Sequence, residues 1–152
     1  NKVKQVVGHV DLIQSVDRLN LMQAIEKEAA RQNVTQNILL EVNVGREESK
    51  SGFMAEEVHT ILGQMTNFPH LRVKGLMAIP PISHAEGDNF RFFQEIYNLS
   101  VDIERKKYDN VAMECLSMGM SDDFADAIAC GSTMVRIGTA IFGQRNYANS
   151  HP

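Results

Sequence analysis

The sequence predicts an α/β fold, a parallel sheet with helices packed outside it, and three observations predict it. Short β-branched and apolar runs alternate with segments whose apolar residues recur at helical spacing. That unit repeats along the chain without interruption. The loops that follow the strand runs carry the unusual glycine, proline and hydroxyl residues, as expected where ligands sit at the carboxyl ends of parallel strands. With 152 residues and 43% apolar content the chain can bury one core. No linker or low-complexity tract divides it, so residues 1–152 are expected to form a single domain.

Val10 to Val16 supplies the first strand run, and Leu19, Met22, Ala24, Ile25 and Ala29 then mark a helix up to the polar break at Arg31 to Asn33. Asn37 to Val44 is the second strand, and Gly45 to Gly52 is a polar loop. Ala55 to Met65 is a helix with Val58, Ile61, Leu62 and Met65 on one face. Leu71 to Ile79 is the third strand, closed by Pro80-Pro81, which lack the N–H groups a ladder needs. Asp88 to Lys107 follows as a helix whose apolar face is Phe92, Phe93, Ile96, Leu99 and Ile103. Val111 to Leu116 is the fourth strand, and Ser121 is placed to cap a helix through Cys130 that ends at Gly131. Thr133 to Ile137 predicts a fifth strand. This succession fits either a doubly wound sheet or a (β/α) barrel, and the lack of a Gly-x-Gly-x-x-Gly turn after the first strand argues against the dinucleotide-binding form.

Composition excludes several classes of partner. The net charge is −4, with basic residues spread along the chain, so there is no basic stripe for nucleic acid and no polybasic anchor for lipid. Apolar runs such as Leu76 to Ile79 fall far short of the ~20 residues that cross a bilayer. The first residues also lack the apolar core of a signal peptide, so a cytoplasmic location is expected. Cys115 and Cys130 form no Cys-x-x-Cys motif, which predicts reduced, buried thiols. The chain opens at Asn1-Lys2 with no methionine, and an N-terminal truncation is expected.

The candidate chemistry gathers on the last two strands. Alternation puts Met134, Arg136 and Gly138 on one face of the fifth strand, with Val135 and Ile137 toward the helices. Arg136 then points into the barrel or crevice, where a guanidinium requires a carboxylate or a ligand acceptor. Gly138 and Thr139 offer close backbone approach, N–H groups and a hydroxyl at a strand's end, and Ser117-Met118-Gly119-Met120-Ser121 offers a second such turn on the preceding strand. One turn alone is an ordinary tight turn, whereas two together favour a phosphate site. Asp122 and Asp123 fit the first turn of the helix that follows, where the macrodipole favours acids. Asn43, at the end of its strand, can bond a ligand or the loop backbone, and Met77 and Met118 can pad a flat ligand or fill the core. Lys50, in the Glu47 to Phe53 loop, is read as a solvated lysine. His84, Glu86 and Asp88 lack the rigid spacing of a metal site, and no nucleophile and base pair is legible.

At these residues the sequence resembles the pyridoxal-phosphate homeostasis protein family, small proteins related to the N-terminal barrel of alanine racemase. The resemblance covers the whole chain. It runs through Asn1 to Lys4, Gln14 to Leu19, Val42-Asn43-Val44, Glu48 to Gly52, Gly75 to Pro81, Leu116 to Asp123 and Gly131 to Gly143. It implies a (β/α)₈ barrel, of which this chain holds about the last five β/α units, with pyridoxal 5′-phosphate as cofactor. By the same resemblance the turns that match Ser117 and Gly138-Thr139 hold the phosphate and Arg136 faces the pyridine nitrogen, and with Met118, Gly119, Met77 and Asn43 from the reading of the residues these make up the expected cofactor site. Family members carry roughly a further third of their length before the position of Asn1, including three strands and the cofactor lysine in a Ser-Lys-Thr context. That lysine has no counterpart here.

The function the resemblance implies is non-catalytic: pyridoxal phosphate binding, homeostasis and delivery to cofactor-dependent apoenzymes, by a protein that is monomeric at full length. An arginine at the ring nitrogen does not keep the ring protonated, which weakens the electron sink that amino-acid chemistry needs and suits a carrier. Two alternatives use the same site: a racemase or decarboxylase of amino acids, and a barrel that binds another phosphorylated metabolite. A racemase needs an acid or base on each face of the ring. In the alanine racemase plan one of them comes from a separate C-terminal domain.

Overall fold

Four of the strand runs pair in parallel, in the order in which they occur along the chain. The computed structural model describes residues 1–82 and 87–143. The elements are a single helical turn α1 (Val3–Val6), strand β1 (Leu12–Val16), helix α2 (Leu19–Gln32), strand β2 (Gln36–Val42), helix α3 (Ala55–Leu62), a 3₁₀ turn (Met65–Asn67), strand β3 (Leu71–Ala78), helix α4 (Phe90–Lys106), strand β4 (Val111–Ser117), helix α5 (Phe124–Ala129) and the turn-length helix α6 (Thr139–Phe142). A doubly wound sheet reverses its strand order at a switch point. The order β1-β2-β3-β4 has no reversal and describes an arc of a barrel.

The curvature of that arc can be read from one bond. Three strand spacings separate β1 from β4, about 14 Å along a flat sheet. Yet the Ser117 hydroxyl on β4 lies 2.7 Å from Gln14 Oε1 on β1. Side chains this short meet only if the sheet curls and both point to its concave side. The convex side carries the main core: Val16, Ile38, Leu40, Val42, Val73, Leu76 and Leu116 from the strands pack against Met22, Ile25, Val58, Leu62, Phe93, Ile96 and Ile103 from the helices. Each fully buried large side chain contributes about 1.5–3 kcal/mol of transfer free energy. Leu39 and Met77 are equally buried but lie outside this cluster, on the concave side.

Helix ends follow local rules. Asn33 takes the left-handed conformation (φ 53°) and closes α2, its N–H donating to the carbonyls of Ala29 and Ala30. The Glu57 carboxylate accepts from Met54 N–H at 2.9 Å and covers the start of α3. Two expectations are corrected. The fifth strand reduces to one bridge, Ser117 with Met134, because Gly119 (φ +94°) turns the chain away from the ladder, and Arg136 N–H bonds to that turn through Gly119 O. The arc therefore holds four strands and this bridge rather than five strands. Ser121 also does not cap α5. Asp123 occupies that position, and its Oδ1 accepts from Met120 N–H at 2.7 Å.

Gly75 sets the spacing of β3 and β4. A Cβ built on it would stand 1.7 Å from the Cys115 carbonyl oxygen, at a φ of +151°. Gly75→Ala is expected to cost at least about 3 kcal/mol, because backbone rather than a flexible side chain must give way. Gly138→Ala, whose Cβ meets nothing within 4 Å, is the matched control. Urea midpoints for the two variants check this, and equal midpoints would refute it.

Glu28 gives a second test. Hydrogen bonds from Arg31 and Gln32 lower its carboxyl from the ordinary 4.5 to about 2. Gln32 also donates to Val7 O, so the group ties α2 to the chain before β1. A depressed folded-state value means the stabilisation is present above about pH 4.5 and is lost as pH falls toward 2. Glu28→Gln should flatten the fall in denaturant midpoint between pH 5 and pH 2.5, and an unchanged slope would sink this assignment.

Candidate functional site

The concave face is apolar except for a line of polar groups near the carboxyl ends of the strands. In β2, Ile38, Leu40 and Val42 go to the helices, so alternation sends Leu39 and Glu41 to the concave side. Glu41 pairs with Met77, Met77 with Ser117, and Ser117 bridges Met134, which forms one row across three strands and the chain beside them. Arg136 follows two residues after Met134 and lies over this row.

The bonds of Arg136 define the site. Its Nη1 donates to Ser117 O at 2.8 Å and to Ser117 Oγ at 2.7 Å, and its Nη2 donates to Ala78 O at 3.0 Å. Guanidinium only donates, so Ser117 Oγ accepts from Arg136 and donates its own O–H to Gln14 Oε1. Burial pushes the Arg136 guanidinium below its ordinary range, an effect opposed by the charges of Glu41 and Asp123. It remains charged, since arginine in proteins does not deprotonate. Burial and the neighbouring Asp17 push the Glu41 carboxyl up, with Arg136 opposing. Of the five N–H donors of Arg136, the Nε donor and one on Nη2 are left for an acceptor in the cleft.

The residues singled out in the sequence fall into different places. Ser117 is fully buried at the end of β4, and its hydroxyl is engaged by Arg136 and Gln14. Met118 belongs to the convex core, whereas Met77 lies on the concave face. Gly119 stands under α5, where a Cβ would meet Ala127 Cβ at 2.6 Å. Gly138 and Thr139 begin α6, with open space at Gly138 and an exposed Thr139. Asn43 is buried and bonds the loop backbone: its Nδ2 donates to Glu47 O and Lys50 O, and its Oδ1 accepts from Glu47 N–H. Lys50 is exposed, its ammonium 4.0 Å from Glu47.

Two residues of the site, Gln14 and Glu41, were not legible as site residues, and Ser121, legible as part of the hydroxyl-flanked turn, has partners that were not. Ser121 Oγ accepts from Gly138 N–H at 3.2 Å and Ala140 N–H at 3.1 Å, so a serine oxygen holds the amides of the Gly138-Thr139 turn. The sequence places Ser121 in the 117–121 turn and also at a helix cap. Gln14 and Glu41 were read only as parts of strands. A single carboxylate between the apolar Leu40 and Val42 was the available signal, because a strand buried on both faces admits a charge only at a site. His84 and Glu86 lie outside the described residues, and among the described residues no group of three metal-ligating side chains occurs. No described helix is long and apolar enough to cross a membrane.

Comparison with known proteins fits this geometry. Residues 1–146 match the family model described as alanine racemase, N-terminal domain. A pyridoxal phosphate homeostasis protein of Aquifex aeolicus is 44% identical over 147 residues, 97% of this chain and 64% of that protein. A crystal structure of an unknown protein from Bifidobacterium adolescentis superposes with a TM-score of 0.87 at 37% identity, covering 93% of this chain and 56% of that one. The structure of PipY of Synechococcus elongatus with PLP bound gives a TM-score of 0.81 at 26% identity, covering 94% of this chain and 66% of that one. The chain thus spans less than two thirds of the length of the relatives it matches.

The Asn43 bonds generate a prediction about the loop at 45–52. Asn43→Ala removes both anchors and leaves a buried gap, so it should cost about 1–3 kcal/mol. Limited proteolysis should then cut first within 45–52, and an unaltered cleavage pattern would contradict this role.

Proposed function

The chain belongs to the alanine racemase N-terminal domain family, and on that premise we propose that it binds pyridoxal 5′-phosphate and serves to hold and hand on that cofactor. The observation that carries the proposal is the half-buried Arg136, fixed by Ser117 and Ala78 with two N–H donors that make no hydrogen bond to the described residues. These donors suit the lone pair of a pyridine nitrogen. Met77 supplies apolar surface for the ring, and Gly138, Thr139 and Gly119 shape the turns proposed to seat the phosphate, where Ser121 Oγ now meets two amides. Ser117 acts through Arg136, and Asn43 acts by holding the neighbouring loop.

Pyridoxal phosphate, when bound, supplies an electron-withdrawing ring and an aldehyde. The residues of this chain do not drive that chemistry forward. Arg136 donates to the ring nitrogen rather than leaving a proton on it, so the ring stays a weak electron sink. Of the lysines nearest the sheet, Lys74 is paired with Glu114 at 2.9 Å and Lys50 lies in the exposed loop. This part of the site is read as holding the ring and the phosphate, with release to cofactor-dependent apoenzymes as the biological use.

Titration with pyridoxal 5′-phosphate tests the assignment. Arg136→Ala should weaken binding more than tenfold, and Ser117→Ala or Thr139→Val should each cost about 1 kcal/mol, the scale of one hydrogen bond. Unchanged affinity in all three variants would refute the placement. Rapid exchange of the α-proton of L- or D-amino acids in the presence of cofactor would replace the carrier role with an enzymatic one.

A further inference from the structure

We propose that Asn89 and Asp123 are a pair of positioning residues that make the site prefer a phosphorylated ring compound to the same ring without phosphate. Together they fix the turn at 119–121 and, through Ser121, the amides of Gly138 and Ala140. The proposal rests on the cofactor reading above and adds the residues that set the preference for the ester. Asn89 Nδ2 donates to Asp123 Oδ2 at 2.8 Å, and Asp123 Oδ1 accepts from Met120 N–H at 2.7 Å. One carboxylate therefore ties the start of α4 to the turn that follows β4.

Neither side chain serves the helix it leads. Asn89 precedes α4 and Asp123 precedes α5, and both are residue types that ordinarily accept from a free N–H of their own first turn. Neither makes such a bond. Asn89 is 6% exposed and reaches across 34 positions of sequence instead. The two helices are also joined without it: Gly87 N–H donates to Asp126 Oδ2 at 3.1 Å, and Cys130 Sγ lies 3.6 Å from Phe90 O. Of these contacts, the Asn89 bond alone continues into the turn.

What the pair holds in place is the oxygen of the next residue. Met120 N–H is taken by Asp123, and Gly119 O accepts from Arg136 N–H at 2.9 Å, so the turn is fixed from two sides. Ser121 follows directly, and its Oγ meets Gly138 N–H and Ala140 N–H. Two amides oriented together in this way complement the oxygens of a phosphate and have no counterpart on an aromatic ring. Each oxygen of the Asp123 carboxylate accepts from an N–H of the protein, and charge-assisted bonds of this kind are the strong ones. The carboxylate is thereby held to the turn and α4.

Calorimetric titration with pyridoxal 5′-phosphate and with pyridoxal, which lacks the phosphate, tests this in the unmutated chain, Asn89→Ala, Asp123→Ala and the double variant. The ratio of the two affinities should fall about fivefold in Asn89→Ala, the equivalent of one hydrogen bond, with pyridoxal binding unchanged. Asp123→Ala should lower the ratio at least as far, and adding Asn89→Ala to it should lower it no further, because the two act as one unit. Without ligand, hydrogen exchange should quicken at the amides of Met120, Gly138 and Ala140 in both single variants and stay unchanged at Leu39 and Leu76, which shows the sheet intact. An unchanged ratio, or losses that add in the double variant, would overturn the pairing while leaving the cofactor reading standing. Binding of neither compound by the unmutated chain would overturn both.

Discussion

The hydrogen-bonded line from Gln14 through Ser117 to Arg136 and the Ala78 carbonyl is the constraint on which the rest of the molecule depends. It joins the first strand, the fourth strand, the end of the third and the segment after the Met134 bridge, none of which is adjacent to all the others in the sheet. Because Gln14 and Ser117 meet only when the sheet is curled, the same bonds that place the guanidinium also fix the curvature. Breaking the line at Ser117 would take a hydrogen bond from each of two half-buried groups, Arg136 and Gln14, at about 1 kcal/mol for each bond lost. Fold and site are thus not separable here.

Backbone contact supports that line from below. Gly75 lets β3 approach β4 at Cys115, and the register irregularities between Ile38 and Leu39 and between Val73 and Gly75 fall at this level of the sheet. Past the irregularity, Glu41, Met77 and Ser117 come into one row. A side chain at Gly75 would push the strands apart and disperse that row. The glycine that appears in the sequence as an interruption of a strand is therefore what aligns the polar groups above it.

Much of this was legible in the sequence, and the remainder was not for physical reasons. The strand and helix alternation survived almost intact because each convex-face residue, such as Leu40 or Ile96, is bought by burial against a helix of matching period. The fifth strand was over-read. Thr133 to Ile137 has strand composition, but a ladder needs a partner, and Gly119 removes it. Arg136 was singled out by alternation along a strand that does not form, and what holds it is instead its bonds to Ser117 and Ala78. Those partners were not legible, since Gln14 lies 103 positions from Ser117 in sequence and Ala78 lies 58 from Arg136. The cap reading of Ser121 failed for a related reason: a serine before a helix is a good cap by local rules, and only the tertiary structure shows its oxygen turned to the Gly138 turn.

The way the site is satisfied by the protein itself bears on carrier function. Ser121 Oγ occupies two amides of the Gly138 turn, and the Arg136 donors are partly spent on Ser117 and Ala78. On the proposed placement, a ligand phosphate at that turn would exchange the Ser121 bonds for its own. Exchanged hydrogen bonds contribute little net free energy, of order 1 kcal/mol each, whereas bonds to groups left orphaned would contribute far more. Affinity is held down, and departure of the ligand returns the amides to Ser121 without exposing unpaired groups. Under the proposed function, a site built this way would grip without trapping, the property that a carrier of a reactive aldehyde needs and that an enzyme retaining its cofactor through many turnovers does not.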